Sequence, residues 1–593
     1  IPLGHNKARV IVRHYRKFLK NKLFTKLFLF TSVLSFMIAC STTETVEVIK
    51  EVPVEKVVEK VVEKEVEKIV EKEVIKEVAP APTYAKSIKV RDVFFFNEGF
   101  TPPRGGSFFE HRVSQQIYEG LTALNTPMVT RGDEATPVPN LASAWKISAD
   151  GTTYTFTIRD GVVFTTGNPL NAQAVVDSLK RSFYVIELDK ATARFSWITD
   201  VVSVEATGDM EVTMKLKNAF APLLAILASK QFLIVDAAEL KKHEKDSDWG
   251  AAWGATNSVG TAAYGISGWE PEQRLTLKRN PDYWGGHDGV GPGADELIFA
   301  NIPENATAEL MMAKGEVDVA LQMDPISLKT LDLNPKVYTF SYPSLITCNY
   351  LIDRRNEHAK NDKVLEAIKY SIDYDGLLNT VAMGLGKVHQ SLILPGMLGH
   401  DASISNRYTY DPEKAKALLA EAGYPDGFSI KIQNRAGACG SVVYSKGVEF
   451  LQASLKKSGI KATIEQSTGS KFWGQIGKGE LRDLGISGLG ATYFDPDNPA
   501  SVRATSECFS LGIEAVDPTA AARLKELVAQ GRAETDNAKR HTIYKELNEI
   551  MVSKCGELTV LQVSDTVALR TNMTDGIAMP HAFSIDFRYL RKE

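Results

Sequence analysis

Apolar and polar positions alternate with a period of two in short runs such as Tyr154-Thr155-Phe156-Thr157-Ile158, which predicts a strand with one buried face. Phe94, Phe95 and Phe96 read as the first strand of the folded body, and Ser429 to Gln433 as another. Between such runs the period lengthens toward 3.6. Asp411-Pro412-Glu413 has the form of a helix start, with Asp as N-cap and Pro at the first position. Ala415, Leu418, Leu419 and Ala422 then share a face, and Gly423 marks the stop. Residues 521–552 predict two further helices, with Leu524 and Leu527, then Ile543, Tyr544, Leu547, Ile550 and Met551 as their apolar positions. Gly285, Gly286, Gly289, Gly291 and Gly293 mark a long turn after a strand. From about Lys86 onward the pattern is that of an α/β or α+β protein with more than one lobe.

Two segments ahead of Lys86 break this pattern. Leu27 to Ala39 is uncharged and mostly apolar, and it is shorter than the ~20 residues that span a bilayer as a helix. It follows eight Lys and Arg residues between Lys7 and Lys26, with no acid before Glu44. A basic flank, a short apolar core and a small residue at the cut make residues 1–39 a signal peptide. The cut falls at Met37-Ile38-Ala39-Cys40, which resembles a bacterial lipobox, although Met is less usual than Leu at its first position. Cys40 is therefore expected to carry lipid; the other reading is an ordinary signal peptide with an incidental cysteine. The chain begins at Ile1 and not at Met, which leaves the natural start codon open.

From Val54 the sequence is almost a tetrad repeat, with valines at 54, 58, 62, 66, 70 and 74. On a straight helix that spacing drifts by about 40° per repeat, so no apolar face persists. It also sets Glu55 beside Glu59 and Lys56 beside Lys60, like-charged i,i+4 neighbours. A solvated stalk over residues 40–85 is the reading, in preference to a coiled coil, and Ala79-Pro80-Ala81-Pro82 ends it.

Composition adds limits. With 593 residues, 44% of them hydrophobic, the chain has material for two or three lobes. A formal charge of -4 gives no reason to expect nucleic acid, and without the eight basic residues of the leader the remainder stands at about -12. The cysteines left after Cys40 are Cys348, Cys439, Cys508 and Cys555, in no zinc-binding spacing. One or two disulfides, in any of three pairings, and buried free thiols are the open alternatives. No nucleophile elbow, zinc-protease helix, phosphate loop, EF-hand or dinucleotide fingerprint occurs, and Gly289-Val290-Gly291-Pro292-Gly293 lacks the Lys-Ser/Thr that a phosphate loop needs. An enzyme would require catalytic residues brought together only by folding; a hydrolase of that kind is the reading from another class.

Local motifs are more specific. Tyr118-Glu119-Gly120-Leu121 comes first, followed by Pro139 to Trp145 and Asp150-Gly151-Thr152-Thr153-Tyr154-Thr155-Phe156. Arg159-Asp160-Gly161-Val162-Val163-Phe164, Gly167 and Asn171 to Val175 complete a block readable as strand, Asp-Gly turn, paired strand, second turn and helix. Val259-Gly260-Thr261-Ala262-Ala263-Tyr264, Asn280 to Trp284, Gly315 to Ala320, the helix around Ala367 to Asp373 and the block Tyr410 to Phe428 continue the series. In this order, across roughly residues 88–590, the motifs resemble the bacterial extracellular solute-binding proteins of family 5, the oligopeptide-, dipeptide- and nickel-binding lipoproteins of ABC importers.

The resemblance implies an α/β, two-lobed periplasmic-binding-protein fold of class II type, with an extra domain on lobe one. Lobe one would take residues 86–125, 255–347 and 560–593, the extra domain 126–254, and lobe two 348–559, with chain crossings near Asn125, Gly254, Cys348 and Thr559. It further implies a monomer on the outer face of the cytoplasmic membrane that captures a peptide or other small molecule between its lobes and delivers it to the permease, with no cofactor, metal or chemistry. A ligand sensor or chaperone with the same fold is the alternative.

In the peptide-binding branch, a carboxylate three residues before the acid of an acid-Pro motif pairs with the ligand's α-amino group. Here that position is Thr492, ahead of Asp495-Pro496. A buried ammonium needs a partner charge, and threonine has none, so the resemblance implies a neutral or differently charged solute. Tyr493 and Trp473 are further candidates for the pocket wall, Arg435 for a loop facing the cleft, and Phe96 for a contact from lobe one; core or surface roles are the plain alternatives for each. Asp495 and Asp497 read as turn-builders.

Overall fold

The computed structural model describes residues 85–592, apart from 95, 97–98, 105–106, 125–135, 190–195, 286–292, 482–483, 575–577 and 582–583. The signal peptide, Cys40, the repeat, the crossing near Asn125 and most of the glycine-rich turn lie outside the described residues. Strand β1 (Ala85–Asp92) buries Ile88 and Val90 and turns Lys89 outward. Helix α1 (Phe108–Ile117) begins at a capping box: the Glu110 N–H donates to Ser107 Oγ at 3.1 Å, and the Ser107 N–H donates to Glu110 Oε2 at 2.9 Å. The Tyr118-to-Leu121 motif follows this helix, with Tyr118 as its C-cap.

A separate antiparallel sheet comes next, built from β2 (Ala142–Ile147), β3 (Thr153–Ile158), β4 (Val201–Gly208) and β5 (Glu211–Leu216) in the order β2-β3-β5-β4. β3 shows the expected alternation, with Tyr154, Phe156 and Ile158 buried. Asn171 caps α2 (Ala172–Leu188) by accepting the Ala174 N–H at 2.9 Å, and Val175, Val176 and Leu179 join the core of this sheet.

The main sheet has eleven strands. To β1 it adds β6 (Tyr264–Glu270), β7 (Arg274–Arg279), β8 (Ala294–Asn301), β9 (Val319–Leu321), β10 (Val337–Ile352), β11 (Gly386–Val388), β12 (Phe428–Asn434), β13 (Ile460–Gln466), β14 (Leu484–Gly490) and β15 (Glu557–Arg570). The order is β13-β12-β14-β10-β15-β9-β1-β8-β7-β6, with β11 paired to β15 off this path. The long strands β10 and β15 sit at its centre, and each half has its own core. One gathers Ile88, Val90, Phe109, Leu277 and Phe299; the other gathers Tyr350, Ile352, Ile432, Leu451 and Ile486. Five helices in the second half matter below: α3 (Pro412–Glu421), α4 (Tyr444–Lys456), α5 (Gly469–Gly477), α6 (Pro518–Ala533) and α7 (Asn537–Lys554). Asp411 and Asp517 cap the Pro-started α3 and α6 by accepting the N–H of Lys414 and Ala520. Ala415 and Leu419 of α3 are buried, as are Leu524 and Leu527 of α6 and Tyr544, Leu547 and Met551 of α7.

One expectation is corrected. The first strand ends at Asp92, so Phe94 and Phe96 lie beyond it. The Val93 N–H is taken by Asp92 Oδ1 and the Phe94 N–H by Asn301 Oδ1, which removes the donors a continuing ladder would use. The cysteine question is also answered: Cys348 pairs with Cys439 and Cys508 with Cys555, with Cα–Cα distances of 5.6 and 5.5 Å. The second bridge lies in a core of α6 and α7 side chains, including Leu524 and Leu547. Replacing Cys508 and Cys555 together by Ser is expected to cost roughly 2–5 kcal/mol, read as a lower calorimetric melting temperature. An unchanged melting temperature would contradict the bridge.

Candidate functional site

Pro343 lies inside β10, where a residue without an N–H cannot donate to a ladder and is tolerated at a bulge. The register breaks there: Pro343 faces Ser564, and the next paired residue, Thr347, faces Gln562. On one side of this bulge β9 joins β15 through Leu321 and Val567, and β1 and β8 run parallel to β9. On the other side Gly490, the last residue of β14, faces Ile346, and β12 and β13 run parallel to β14. Followed through the registers, the parallel strands of both halves point their carboxyl ends toward the bulge. Ligands of open α/β sheets bind outside the carboxyl ends of strands, so this convergence marks the candidate cleft. A short hairpin, Ala438–Cys439 with Val442–Val443, folds back over it: a Cβ on Gly440 would meet Val563 Cγ2 at 2.7 Å, and one on Gly488 would meet Cys439 Cβ at 2.5 Å.

Arg435 follows the end of β12. Its guanidinium lies 4.5 Å from the ring of Tyr444, 5.2 Å from Phe472 and 5.3 Å from Trp473, and Nη2 donates to the Tyr444 hydroxyl at 3.3 Å. Its Nε is buried without a hydrogen-bond partner, and among the described residues no carboxylate pairs with it. Trp473, on α5, keeps 37% of its surface exposed beside this cation. In the other half, Phe96 is 36% exposed and its ring rests 4.9 Å from Trp269 and 5.2 Å from Phe100. Arg435 and Trp473 are thus brought together, while Phe96 stands in a separate aromatic group.

Thr492 and Tyr493 follow the end of β14 and line a small cavity with His111, Gln115, Lys230 and Leu345. The Thr492 hydroxyl accepts from Asn498 Nδ2 at 2.6 Å, and the Thr492 N–H donates to Asn498 Oδ1 at 3.0 Å. Tyr493 is buried against the core of the four-stranded sheet, and its hydroxyl donates to Asp497 Oδ2 at 2.7 Å. Asp495 accepts the Asp497 N–H at 2.9 Å, the turn contact expected of it, but its main partner is Arg540 of α7, at 2.8 and 3.1 Å. Asp497 takes Arg532 Nε of α6 at 2.7 Å. Burial pushes the Asp497 carboxyl up, and Arg532 opposes that shift. A larger cavity of about 240 Å³ lies beside this motif, between Tyr154 and Leu224 on one side and Met397 and Arg540 on the other.

Sequence reasoning missed a polar group at the crossover itself. Asp92, at the end of β1, accepts two hydrogen bonds from Arg112 of α1, at 2.8 and 2.6 Å, and both side chains are buried. Asp565 of β15 faces Tyr342 across the ladder, accepts the Tyr342 hydroxyl and senses the charge of Arg112. Its carboxyl is pushed up to about 6, chiefly by burial, with Asp92 raising it further and Arg112 and Tyr342 opposing. A signal was present: Asp565 is the one acid in the apolar run Leu558 to Leu569.

Residues 136–508 match the family described as bacterial extracellular solute-binding proteins, family 5 Middle. The chain is 28% identical over 358 residues to the probable D,D-dipeptide-binding periplasmic protein DdpA of Escherichia coli K12, a stretch covering 60% of this chain and 66% of that protein, just under two thirds of its length. It is 25% identical over 478 residues to the glutathione-binding protein GsiB of Shigella dysenteriae serotype 1, covering 79% of this chain and 87% of the relative. The solved structure of HbpA2 from Haemophilus parasuis aligns with a TM-score of 0.74 at 22% identity, over 86% of this chain and 100% of that one. The fold is the mixed α/β periplasmic-binding-protein fold.

The acid-Pro motif makes a structural prediction. Arg540→Ala leaves Asp495 buried and unpaired, which is expected to cost roughly 3–5 kcal/mol in urea unfolding. A loss below about 1 kcal/mol, the size of an exposed pair, would contradict the burial of this contact.

Proposed function

Because the chain belongs to the bacterial extracellular solute-binding proteins of family 5, we propose that it captures a peptide-like solute in the cleft at the β10–β15 crossover and delivers it to an ABC importer. It is a binding protein and not an enzyme, in keeping with a family of solute binders. Relatives named for D,D-dipeptides and for glutathione support the peptide-like class. In this reading residues 86–125, 255–347 and 560–593 form lobe one, 126–254 its extra domain and 348–559 lobe two. Residues 1–39 direct export, lipid on Cys40 anchors the chain outside the cytoplasmic membrane, and the repeat holds the body clear of it.

The observation that carries the proposal is Arg435. A half-buried guanidinium with an unpartnered Nε and no carboxylate among the described residues is costly to leave so, and a solute carboxylate supplies both the charge and the acceptor. Trp473 and Phe96 offer apolar surface from the two halves, and Thr492 and Tyr493 line a separate small cavity with His111 and Leu345. A solute touching both halves binds the closed form more tightly than the open one, and that difference in affinity drives closure about β10 and β15. The closed form then docks on the permease.

A thermal-shift screen of the chain with glutathione, D-alanyl-D-alanine and their C-terminal amides tests this. A ligand at about 100 times its Kd adds roughly 2.7 kcal/mol of stability, a clear rise in melting temperature. Arg435→Ala is expected to weaken binding of the free-acid peptides by roughly 1.5–3 kcal/mol and to leave that of the amides unchanged. Silence of the wild type toward every peptide would reject peptide capture.

A further inference from the structure

We infer that Asp565, on the strand shared by both halves of the sheet, is the carboxylate that receives a cationic group of the solute, above all the α-ammonium of a peptide-like ligand. The inference rests on the capture reading and adds the second charge that the solute must carry.

Four acids near the crossover are already paired. Asp495 and Asp497 are held by Arg540 and Arg532. Glu557 is held by Arg503 at 2.9 Å, and Asp92 by Arg112. Asp565 differs: among the described residues no cationic side chain lies within ion-pair distance of it, and its hydrogen bond comes from the neutral Tyr342 hydroxyl. The cluster Asp92, Arg112, Asp565 therefore carries one uncompensated negative charge.

Glu557 to Val563 and Thr566 to Leu569 are buried without a break, and the two residues between them, Ser564 and Asp565, are partly exposed. That window falls where the register breaks at Pro343, the point on which the carboxyl ends of both sets of parallel strands converge. A partly buried carboxylate with spare acceptor capacity and no counter-ion favours a cation that arrives with the ligand.

The position that would carry an acid by resemblance is Thr492, whose hydroxyl is engaged by Asn498. The absence of a carboxylate there does not leave the cleft without one. With Arg435 beyond β12 and Asp565 on β15, opposite charges lie on the two sides of the crossover, a pattern suited to a zwitterion. Because β15 is a hinge strand in the capture reading, a cation held by Asp565 would tie occupancy to closure.

The test is calorimetric titration of the full chain and of Asp565→Asn with glutathione and D-alanyl-D-alanine, each free and N-acetylated. The free-amino forms are expected to lose roughly tenfold or more in affinity in D565N, while the N-acetyl forms bind both proteins equally weakly. Asp565→Glu keeps the charge and is expected to keep the preference for a free amine. The groups facing Asp565 are Asp92, Arg112 and Tyr342. A bound ammonium favours the ionised carboxylate, so wild-type affinity falls as pH drops from about 7.5 to about 5, through the titration of a group near 6, and the D565N profile stays flat by comparison. Removing a partly buried charge should leave the melting temperature of D565N at or above that of the wild type, which separates loss of an anchor from loss of fold. Equal affinities of wild type and D565N for the free-amino probes would overturn the assignment. So would a wild type that binds N-acetylated peptides as tightly as free ones, and solute capture would still stand. A wild type silent toward all four probes would overturn both.

Discussion

β10 and β15 exchange backbone hydrogen bonds from the pair Val337 and Arg570 to the pair Leu351 and Glu557, and each half of the main sheet hangs on one stretch of that ladder. The lower stretch carries β9, β1 and β8; the upper carries β14, β12 and β13. Neither half can change its partner strand without shifting register, and a shift of one residue would turn every buried side chain of these strands to the wrong face. The freedom that remains is at Pro343, where the ladder is already interrupted. Two halves of one sheet that share a pair of strands, with a bulge between them, have the form that the capture reading requires of a hinge.

Charge around this hinge divides into two kinds. Asp92 with Arg112, Asp495 with Arg540, Asp497 with Arg532 and Glu557 with Arg503 are closed pairs, mostly buried. Arg503 also reaches Thr347 Oγ1, so it braces β10 and β15 together just above the bulge. Breaking such pairs is expected to cost stability, because the abandoned partner remains buried. Arg435, beyond the carboxyl end of β12, and Asp565, on β15, are of the second kind, charges that lack a counter-ion among the described residues. Closed pairs hold the halves of the sheet together, and in the capture reading the open charges are the ones left for a solute.

Much of the fold was legible in the sequence because it is written locally. The alternation of Tyr154, Phe156 and Ile158 fixes β3, and Asp411-Pro412 fixes the start of α3. The ordered motifs from Tyr118 to Phe428 pointed to the family that residues 136–508 match. The site was less legible. Arg435 and Trp473 lie 38 positions apart in the chain, and their contact depends on how α5 packs against the end of β12. Asp565 senses the charge of Arg112 from more than 450 positions away in the chain, and only the crossover brings them into one neighbourhood. The triple phenylalanine run misled for a related reason: the adjacent Asp92 takes the Val93 N–H, and Asn301, distant in sequence, takes the Phe94 N–H, so the strand stops at Asp92. The roles of Asp495 and Asp497 were half visible, since the turn is local and the arginines that hold them come from α6 and α7.

The central claim is that one cleft at the β10–β15 bulge holds the solute between both halves of the sheet. Backbone hydrogen exchange of the full chain, with and without saturating glutathione or D-alanyl-D-alanine, tests it most directly. The account predicts that protection rises together in four segments distant in sequence: 92–100, 434–443, 490–494 and 562–566. Protection confined to one half, or gathered around Tyr154, Met397 and Arg540 while those four segments stay unchanged, would contradict it.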